Sequence, residues 1–271
     1  MLLTQLQESI SKVGKTTEDL QKLLDASGSV GIEAISHNKA KIFDDHATLI
    51  GIITAGSLPF QLTSGALEGV SLSIQLPTLK TFHGFSLDKL SSLSIGSVVN
   101  DRKSGAVKER FPLALESLKQ MPRVKDNIRI EHAAKLRTLE GLRLDAGGVL
   151  TLNLCSGLET IEHVPDGIMV KISGCENVSF KHFPKGVVGL NLEDFYFKSG
   201  LPWIVAIPKS CNLNLGSALS INVYKNGQKS SLDKGVSDRL LAIREHGAGN
   251  AKVLEAQQLL LDEGYDELSE L

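Results

Sequence analysis

The chain has 271 residues, a formal net charge of −2 at pH 7 and 42% hydrophobic residues, which is enough apolar material for a folded core. The near-neutral balance argues against bulk binding of nucleic acid, because neutralising phosphates requires a basic surface. No apolar run reaches the roughly 20 residues that a membrane-spanning helix needs, so we expect no membrane partner.

The first 28 residues are predicted to form an N-terminal helical cap. Their apolar residues recur at helical spacing, and the segment has neither the basic start nor the cleavage site of a signal peptide. The stretch from Asp25 to Gly28 provides a stop for the helix. The apolar positions are Leu3, Leu6, Ile10, Val13, Leu20, Leu23 and Leu24.

Residues 29–225 are predicted to form a repeat solenoid built on a parallel sheet. Short segments with alternating apolar residues indicate strands that bury one face. Their first residues lie 18 to 35 residues apart, and most intervals suit one coil of a solenoid. A single short strand cannot bury a core, so neighbouring coils must stack. The predicted strands are Leu72-Ser-Ile74, Leu93-Ser-Ile95, Ile128-Arg-Ile130, Leu152-Asn-Leu154, Val170-Lys-Ile172, Leu190-Asn-Leu192 and Leu213-Asn-Leu215.

Two further motifs recur between the predicted strands. One is Leu-x-Thr followed by an apolar residue, and it begins at Leu79, Leu136 and Leu158. The other is an apolar residue followed by a Pro-led turn just ahead of a strand. Proline fixes φ for such a turn, so each coil should have a corner of defined shape. The Pro-led turns follow Val164, Phe183 and Ile207.

The longest interval between predicted strands holds a segment that we expect to be an inserted helix near residues 103–122. Residues 106–121 read AVKERFPLALESLKQM, an amphipathic pattern that Pro112 interrupts. The sequence therefore predicts one helical insertion between two coils.

Residues 226–271 are predicted to form a C-terminal helical cap with an acidic tail. Residues 236–245 and 250–262 have helical patterning, and Gly247 and Gly249 separate them. The last ten residues carry five acidic side chains and no basic one. Such a tail is either a solvated helix end or a docking peptide.

The stretch from Leu136 to Phe195 resembles the leucine-rich-repeat family in its short, irregular bacterial and bacteriophage form. In that form a Leu-x-x-Leu-x-x-x-Pro segment precedes a strand that ends in Cys or Asn. The best copy runs from Leu158 to Pro165 and continues through Val170-Lys-Ile172 to Cys175. The resemblance implies a leucine-rich-repeat-like solenoid that binds a partner and catalyses no reaction. A host protein or a virion protein is the partner that this form implies.

The sequence contains no complete motif for catalysis, cofactor binding or metal binding. Gly14-Lys15-Thr16 is similar to the end of a phosphate-binding loop, but Ser9 stands where that loop needs glycine. The three cysteines lack the short spacing of a zinc site, and their odd number favours a reducing cytoplasm over a disulfide framework. His163 and His182 occupy equivalent positions, either as solvated corner residues or as a shared metal site. We therefore expect no enzyme and no cofactor.

The outward positions of the predicted strands provide one candidate site, a concave face that binds a partner. The middle residue of each Leu-x-Leu unit points away from the core, as does the residue two positions earlier. These residues are polar and mostly small, which suits either a recognition surface or the solvated face of a sheet. The candidates are Arg129, Asn153, Met169, Lys171, Asn191 and Asn214.

Three functions follow from the sequence alone. The favoured one is a non-enzymatic protein-binding scaffold in the cytoplasm of the cell or of an infected host. The second is a structural virion or assembly component, in which the tail or the terminal helices mediate assembly. The third is a carbohydrate-active β-helix, which requires clustered carboxylates on the sheet face. The predicted row of middle residues has no carboxylate.

Overall fold

A computed structural model of the chain describes residues 29–36, 39–43, 49–54, 71–75, 79–82, 89–96, 98–100, 107–110, 112–215, 221–246 and 249–271. The helical cap predicted for residues 1–28 lies outside the described residues. The unbroken run 112–215 contains the regular part of the fold and all the candidate site residues.

The described residues form strands, two α-helices and two 3₁₀ segments. The strands are β1 (Ser29–Ser36), β2 (Lys39–Phe43), β3 (Leu49–Thr54), β4 (Ser71–Gln75), β5 (Lys89–Gly96), β6 (Val98–Asn100), β7 (Val107–Arg110), β8 (Arg123–Glu131), β9 (Val149–Asn153), β10 (Met169–Ser173), β11 (Gly189–Glu193), β12 (Asn212–Asn214), β13 (Asn222–Lys225) and β14 (Gln228–Ser231). The helices are α1 (Lys234–Glu245) and α2 (Asn250–Asp262), and the 3₁₀ segments are Leu201–Ala206 and Asp266–Leu268.

Ten strands of the described chain form one sheet in the order β12-β11-β10-β9-β8-β5-β4-β1-β2-β3. Neighbours from β12 to β1 are parallel, and β2 and β3 add an antiparallel edge. The chain makes four regular turns from β8 to β12, so the architecture is a parallel-sheet β-solenoid. A strand of the sheet overlaps each of the seven predicted ones, which confirms the prediction of a mainly β solenoid.

Stacked aliphatic residues set the register of the regular turns. Ile128 of β8 pairs with Leu150 of β9, which pairs with Val170 of β10, which pairs with Leu190 of β11. All four side chains are at most 1% exposed. Because strands alternate their side chains, this stack turns the residues between the buried ones to the outer face of the sheet.

Each of these four strands is followed at its end by a residue in the left-handed region. The φ angle is 58° at His132, 54° at Leu154, 61° at Gly174 and 46° at Asp194. A residue other than glycine pays about 1–2 kcal/mol for this conformation, so the stacking of coils must offset that cost. The position of this left-handed residue also shows that one predicted strand was wrong. The buried residues of β9 are Leu150 and Leu152 instead of Leu152 and Leu154, and Leu154 is 38% exposed.

A hydroxyl residue closes a turn between successive strands in four coils. Its side-chain oxygen accepts a hydrogen bond from the backbone N–H two residues later, over 3.1 to 3.2 Å. Such a Ser/Thr turn stabilises a local change of direction, which explains why Thr recurs in the Leu-x-Thr motif. The hydroxyl residues are Ser117, Thr138, Thr160 and Ser179.

The helix predicted near residues 103–122 is wrong in the part that the structure describes. Residues 107–110 form β7, which pairs with β6 in a hairpin, and residues 112–118 lie outside any helix or strand. The backbone N–H of Glu116 donates to the carbonyl oxygen of Lys80 over 2.9 Å, as expected for one more coil. Apolar residues two or three apart can fill a coil as well as one face of a helix, so the pattern was ambiguous. The fully buried residues are Leu113, Leu115, Leu118 and Met121.

The core becomes aromatic toward the end of the solenoid. Phe180, Phe195 and Phe197 are each at most 3% exposed, and their ring centroids lie 4.9 to 5.8 Å apart. These rings fill the last coil, which also contains the 3₁₀ segment Leu201–Ala206.

The two helices predicted near the C-terminus are present as α1 and α2, and both pack on the 3₁₀ segment Leu201–Ala206. Asp233 begins α1 by accepting hydrogen bonds from two backbone N–H groups of its first turn. Arg244, which is 8% exposed, ties α1 to the last coil. Its guanidinium donates to the carbonyl oxygens of Ile207, Pro208 and Cys211 over 3.1, 2.8 and 2.7 Å.

The acidic tail folds back onto the solenoid. Leu268 and Ser269 are buried, and the carbonyl oxygen of Glu270 accepts a hydrogen bond from the N–H of Gly200 over 3.0 Å. The end of the tail therefore packs against its own chain, and docking on a partner stays a prediction.

Candidate binding face of the sheet

The six candidate residues all lie on β8 to β12. The backbone register places Arg129, Lys171, Asn191 and Asn214 in one row across the outer face, and Thr151 occupies the position between Arg129 and Lys171. We refer to these five residues as the central row. The sequence pattern thus identified four members of this row and placed Asn153, instead of Thr151, in the fifth position.

Asn153 does not belong to the central row, although the sequence pattern placed it there. It pairs with Glu131 on one side and with Ser173 on the other, and Ser173 pairs with Glu193. These four residues form a second row, two residues further along each strand, which brings carboxylates onto the face. The error follows from the two-residue misalignment of β9.

Two networks of paired polar groups flank β10, one on β8 and β9 and one on β11. Arg129 Nε and Nη2 donate to Glu131 Oε1 over 3.0 and 2.6 Å, and Asn153 Nδ2 donates to the same oxygen over 3.3 Å. On β11, Asn191 Nδ2 donates to Glu193 Oε1 over 3.0 Å. These contacts engage both carboxylates and both amide nitrogens, whereas Asn191 Oδ1 is buried without a hydrogen-bond partner among the described residues.

The strand between these networks, β10, carries side chains with no such partners. Lys171 is exposed and has no ion-pair partner among the described residues. Met169 is 39% exposed, and its side chain lies against Gly189 of β11. Val188 is 49% exposed, and its N–H bonds to the carbonyl oxygen of Ile168, which places it beside Met169. We call Met169 and Lys171 the β10 strip.

The two histidines at equivalent corners are both exposed, as a solvated position requires. His163 Nε2 lies 3.2 Å from the Oε1 of its neighbour Glu162. Within the described ranges, no group of three or more His, Cys, Asp or Glu side chains has the arrangement of a metal site. The described structure therefore does not support a metal site shared by His163 and His182.

A second site, which the sequence analysis did not find, is a cleft of about 360 Å³ beside the C-terminal tail. Its walls come from residues 176–181, 198–203 and 270–271. Lys181 Nζ lies 5.4 Å from the ring centre of Trp203 inside this cleft. The signal in the sequence that could have indicated this cleft is the distribution of aromatic residues, since the only Trp and all three Tyr follow residue 195.

Glu176, on the wall of this cleft, is engaged through both carboxylate oxygens. Tyr224 donates its hydroxyl to Oε1 over 2.6 Å, and Lys198 Nζ lies 2.8 Å from Oε2. The hydrogen bonds from Lys198 and Tyr224 lower the pKa of Glu176. The same bond to Glu176 raises the pKa of Tyr224 to about 12.

In the part of the chain that the structure describes, no helix is long and apolar enough to cross a membrane. No family model, curated protein or solved structure matches the chain. The likeness to leucine-rich repeats therefore rests on the quoted motifs alone.

Proposed function

We propose that the protein is a non-enzymatic scaffold that binds a protein partner on the outer face of β8 to β12. The observation that carries the proposal is the β10 strip, where an unpaired cation stands beside an exposed apolar side chain. A partner that covers Met169 gains about 25 cal/mol for each Å² of apolar surface removed from water. A partner that contacts Arg129 and Glu131 must instead compete with an existing ion pair.

The leucine-rich-repeat character and the caps belong to the same proposal. The Leu-x-Thr motif with its hydroxyl turn and the Pro-led turns support this type of coil. Stacked coils expose core at each end, so terminal elements must cover it. The packing of α1 and α2 on the last coil supports a capping role for these helices.

A cytoplasmic location is also part of the proposal. Cys155, Cys175 and Cys211 are free thiols, and all three are buried in the described structure. Free cysteines persist where the surroundings are reducing, as in the cytoplasm.

The carboxylates of the outer face favour the scaffold over a carbohydrate-active enzyme. Glu131 on β8 and Glu193 on β11 belong to the same row, three strand spacings apart. At about 4.8 Å for each spacing, their strands are about 14 Å apart. Paired carboxylates of glycoside hydrolases lie at most about 9.5 Å apart, so this pair does not fit that chemistry.

The proposal is tested by affinity purification of the tagged protein from its native cell, followed by mass spectrometry. We expect a specific partner that the double variant Met169→Ser/Lys171→Glu no longer retains. The matched control is Lys185→Glu, an exposed lysine in the turn before β11. If the double variant retains every partner, the β10 strip is not the binding site. Defined multimers in solution without any partner would instead favour the assembly component.

A further inference from the structure

The cleft beside Trp203 is built from three separate segments of the chain. Residues 176–181 leave the corner after β10, residues 198–203 lead into the last coil, and residues 270–271 come from the tail. Its volume of about 360 Å³ lies within the range of small-ligand sites, which starts near 300 Å³. No member of the central row lines it, so it is distinct from the proposed protein-binding face.

Of the two cations that line this cleft, Lys198 is paired with a carboxylate and Lys181 is not. Glu176 and Lys198 neutralise each other at 2.8 Å, and Tyr224 also donates to Glu176. Lys181 has no ion-pair partner among the described residues. Glu270 also lines the cleft, and its carbonyl oxygen accepts a hydrogen bond from the N–H of Gly200.

The ammonium group of Lys181 lies over the Trp203 ring. An ammonium group within about 6 Å of an indole centre is attracted by the ring, and here the distance is 5.4 Å. A carboxylate or phosphate oxygen makes a stronger, charge-assisted hydrogen bond with an ammonium group than a ring does. The cation is therefore already in the cleft before an anion arrives.

The same wall of the cleft carries a hydroxyl donor. The Oγ of Ser179 accepts a hydrogen bond from the backbone N–H of Lys181 over 3.2 Å, which holds the hydroxyl at the cleft wall. A serine that accepts through its oxygen still has its own proton to donate. Ser199 adds a second hydroxyl to the lining. Lys181, Ser179 and Ser199 thus present an ammonium group and two hydroxyls, which suit an acceptor-rich ligand.

We propose that this cleft binds a small ligand through an oxyanion, either a carboxylate or a phosphate group. Lys181 supplies the cation, Ser179 supplies a hydroxyl donor and Trp203 forms the wall. The Nε1 of Trp203 has no acceptor among the described residues. Because this nitrogen is buried, the proposed ligand does not bind to it. The acidic side chain of Glu270 also lines the cleft, and its negative charge opposes the binding of an anion.

The test uses the intrinsic fluorescence of Trp203, the single tryptophan of the chain. The full-length protein is titrated with sodium phosphate and, separately, with sodium succinate, with sodium chloride holding the ionic strength constant. We expect a saturable change in emission with at least one of them, and the two titrations distinguish a phosphate site from a carboxylate site. A change that never saturates, or that sodium chloride reproduces, would overturn the proposal.

Two variants assign the signal to the cleft. Lys181→Gln should weaken the affinity at least tenfold, whereas Lys185→Gln, an exposed lysine of the same coil outside the cleft, should leave it unchanged. Glu270→Gln should strengthen binding because it removes the opposing negative charge. Equal affinities for the wild type and Lys181→Gln, with unchanged circular dichroism, would contradict the assignment.

Discussion

The backbone N–H of Cys155 donates a hydrogen bond to the Sγ of Cys175 over 3.3 Å, although the residues are 20 positions apart. Each follows the left-handed corner residue of its coil, so the two stack in adjacent turns. Cys155 Sγ in turn lies 3.5 Å from the carbonyl oxygen of Ile130. The hydrogen bond with Cys175, together with burial, raises the pKa of the Cys155 thiol. The sulfur atoms thus continue the hydrogen bonding between coils past the ends of the strands.

Replacing Cys175 with alanine should lower the free energy of unfolding by about 1–3 kcal/mol, because the buried N–H of Cys155 loses its acceptor. Urea denaturation measures the change. Cys211→Ala is the matched control, since that buried sulfur forms no hydrogen bond within the described structure. Equal losses in the two variants would show that the N–H to sulfur bond contributes nothing measurable.

Adding a methyl group at Gly157 should destabilise the solenoid by about 2–3 kcal/mol, through overpacking between coils. A β-carbon there would overlap the backbone carbonyl of Ala134 in the preceding coil. Gly189→Ala provides the comparison, because its nearest neighbour, Met169 Cγ, lies at an ordinary 3.4 Å. Its thermal midpoint should stay close to that of the wild type. A Gly157→Ala protein as stable as Gly189→Ala would contradict the tight stacking.

The bond between Tyr224 and Glu176 predicts a pH dependence at the alkaline end. Since the folded pKa of Tyr224 is raised to about 12 from an ordinary value of 10.0, the stabilisation is complete below pH 10. It should disappear as the pH rises from 10 towards 12. Glu176→Gln should bring the tyrosine titration back towards 10, as measured by absorbance at alkaline pH.

The matched control for that titration is Tyr196, which also lies at the end of the solenoid, with its ring 5.6 Å from the ring of Tyr224. In a Tyr196→Phe protein the raised pKa of Tyr224 should remain. If Glu176→Gln leaves the highest tyrosine pKa unchanged, the carboxylate is not its cause.

Arg244→Met should cost about 3 kcal/mol, because the carbonyl oxygens of Ile207, Pro208 and Cys211 lose a charged donor inside the protein. Hydrogen exchange should show faster opening of α1 and α2. The control, Arg239→Met, removes an exposed pair with Glu263 and should cost at most about 1 kcal/mol. Similar exchange rates in both variants would mean that Arg244 does not fasten the helices.

The candidate face was partly predictable because side chains alternate along a strand. Arg129, Lys171 and Asn191 lie between pairs of buried aliphatic residues, so their outward position follows from the pattern. The stretch from Leu150 to Leu154 satisfies the same pattern in two registers, and only the left-handed corner at Leu154 decides between them. Which groups are already paired, and hence which remain available, depends on distances between coils that no local pattern contains.

The sequence by itself determined a parallel-sheet solenoid, because short alternating segments about 20 residues apart can bury their apolar faces only by stacking. It also determined the two C-terminal helices through their spacing of apolar residues. Only the tertiary structure decided that residues 112–118 are one more coil, since hydrogen bonds to Lys80 and His132 replace those of a helix. It alone brought Lys181, Trp203 and Glu270 into one cleft, because residues this far apart meet only when the tail folds back over the last coil.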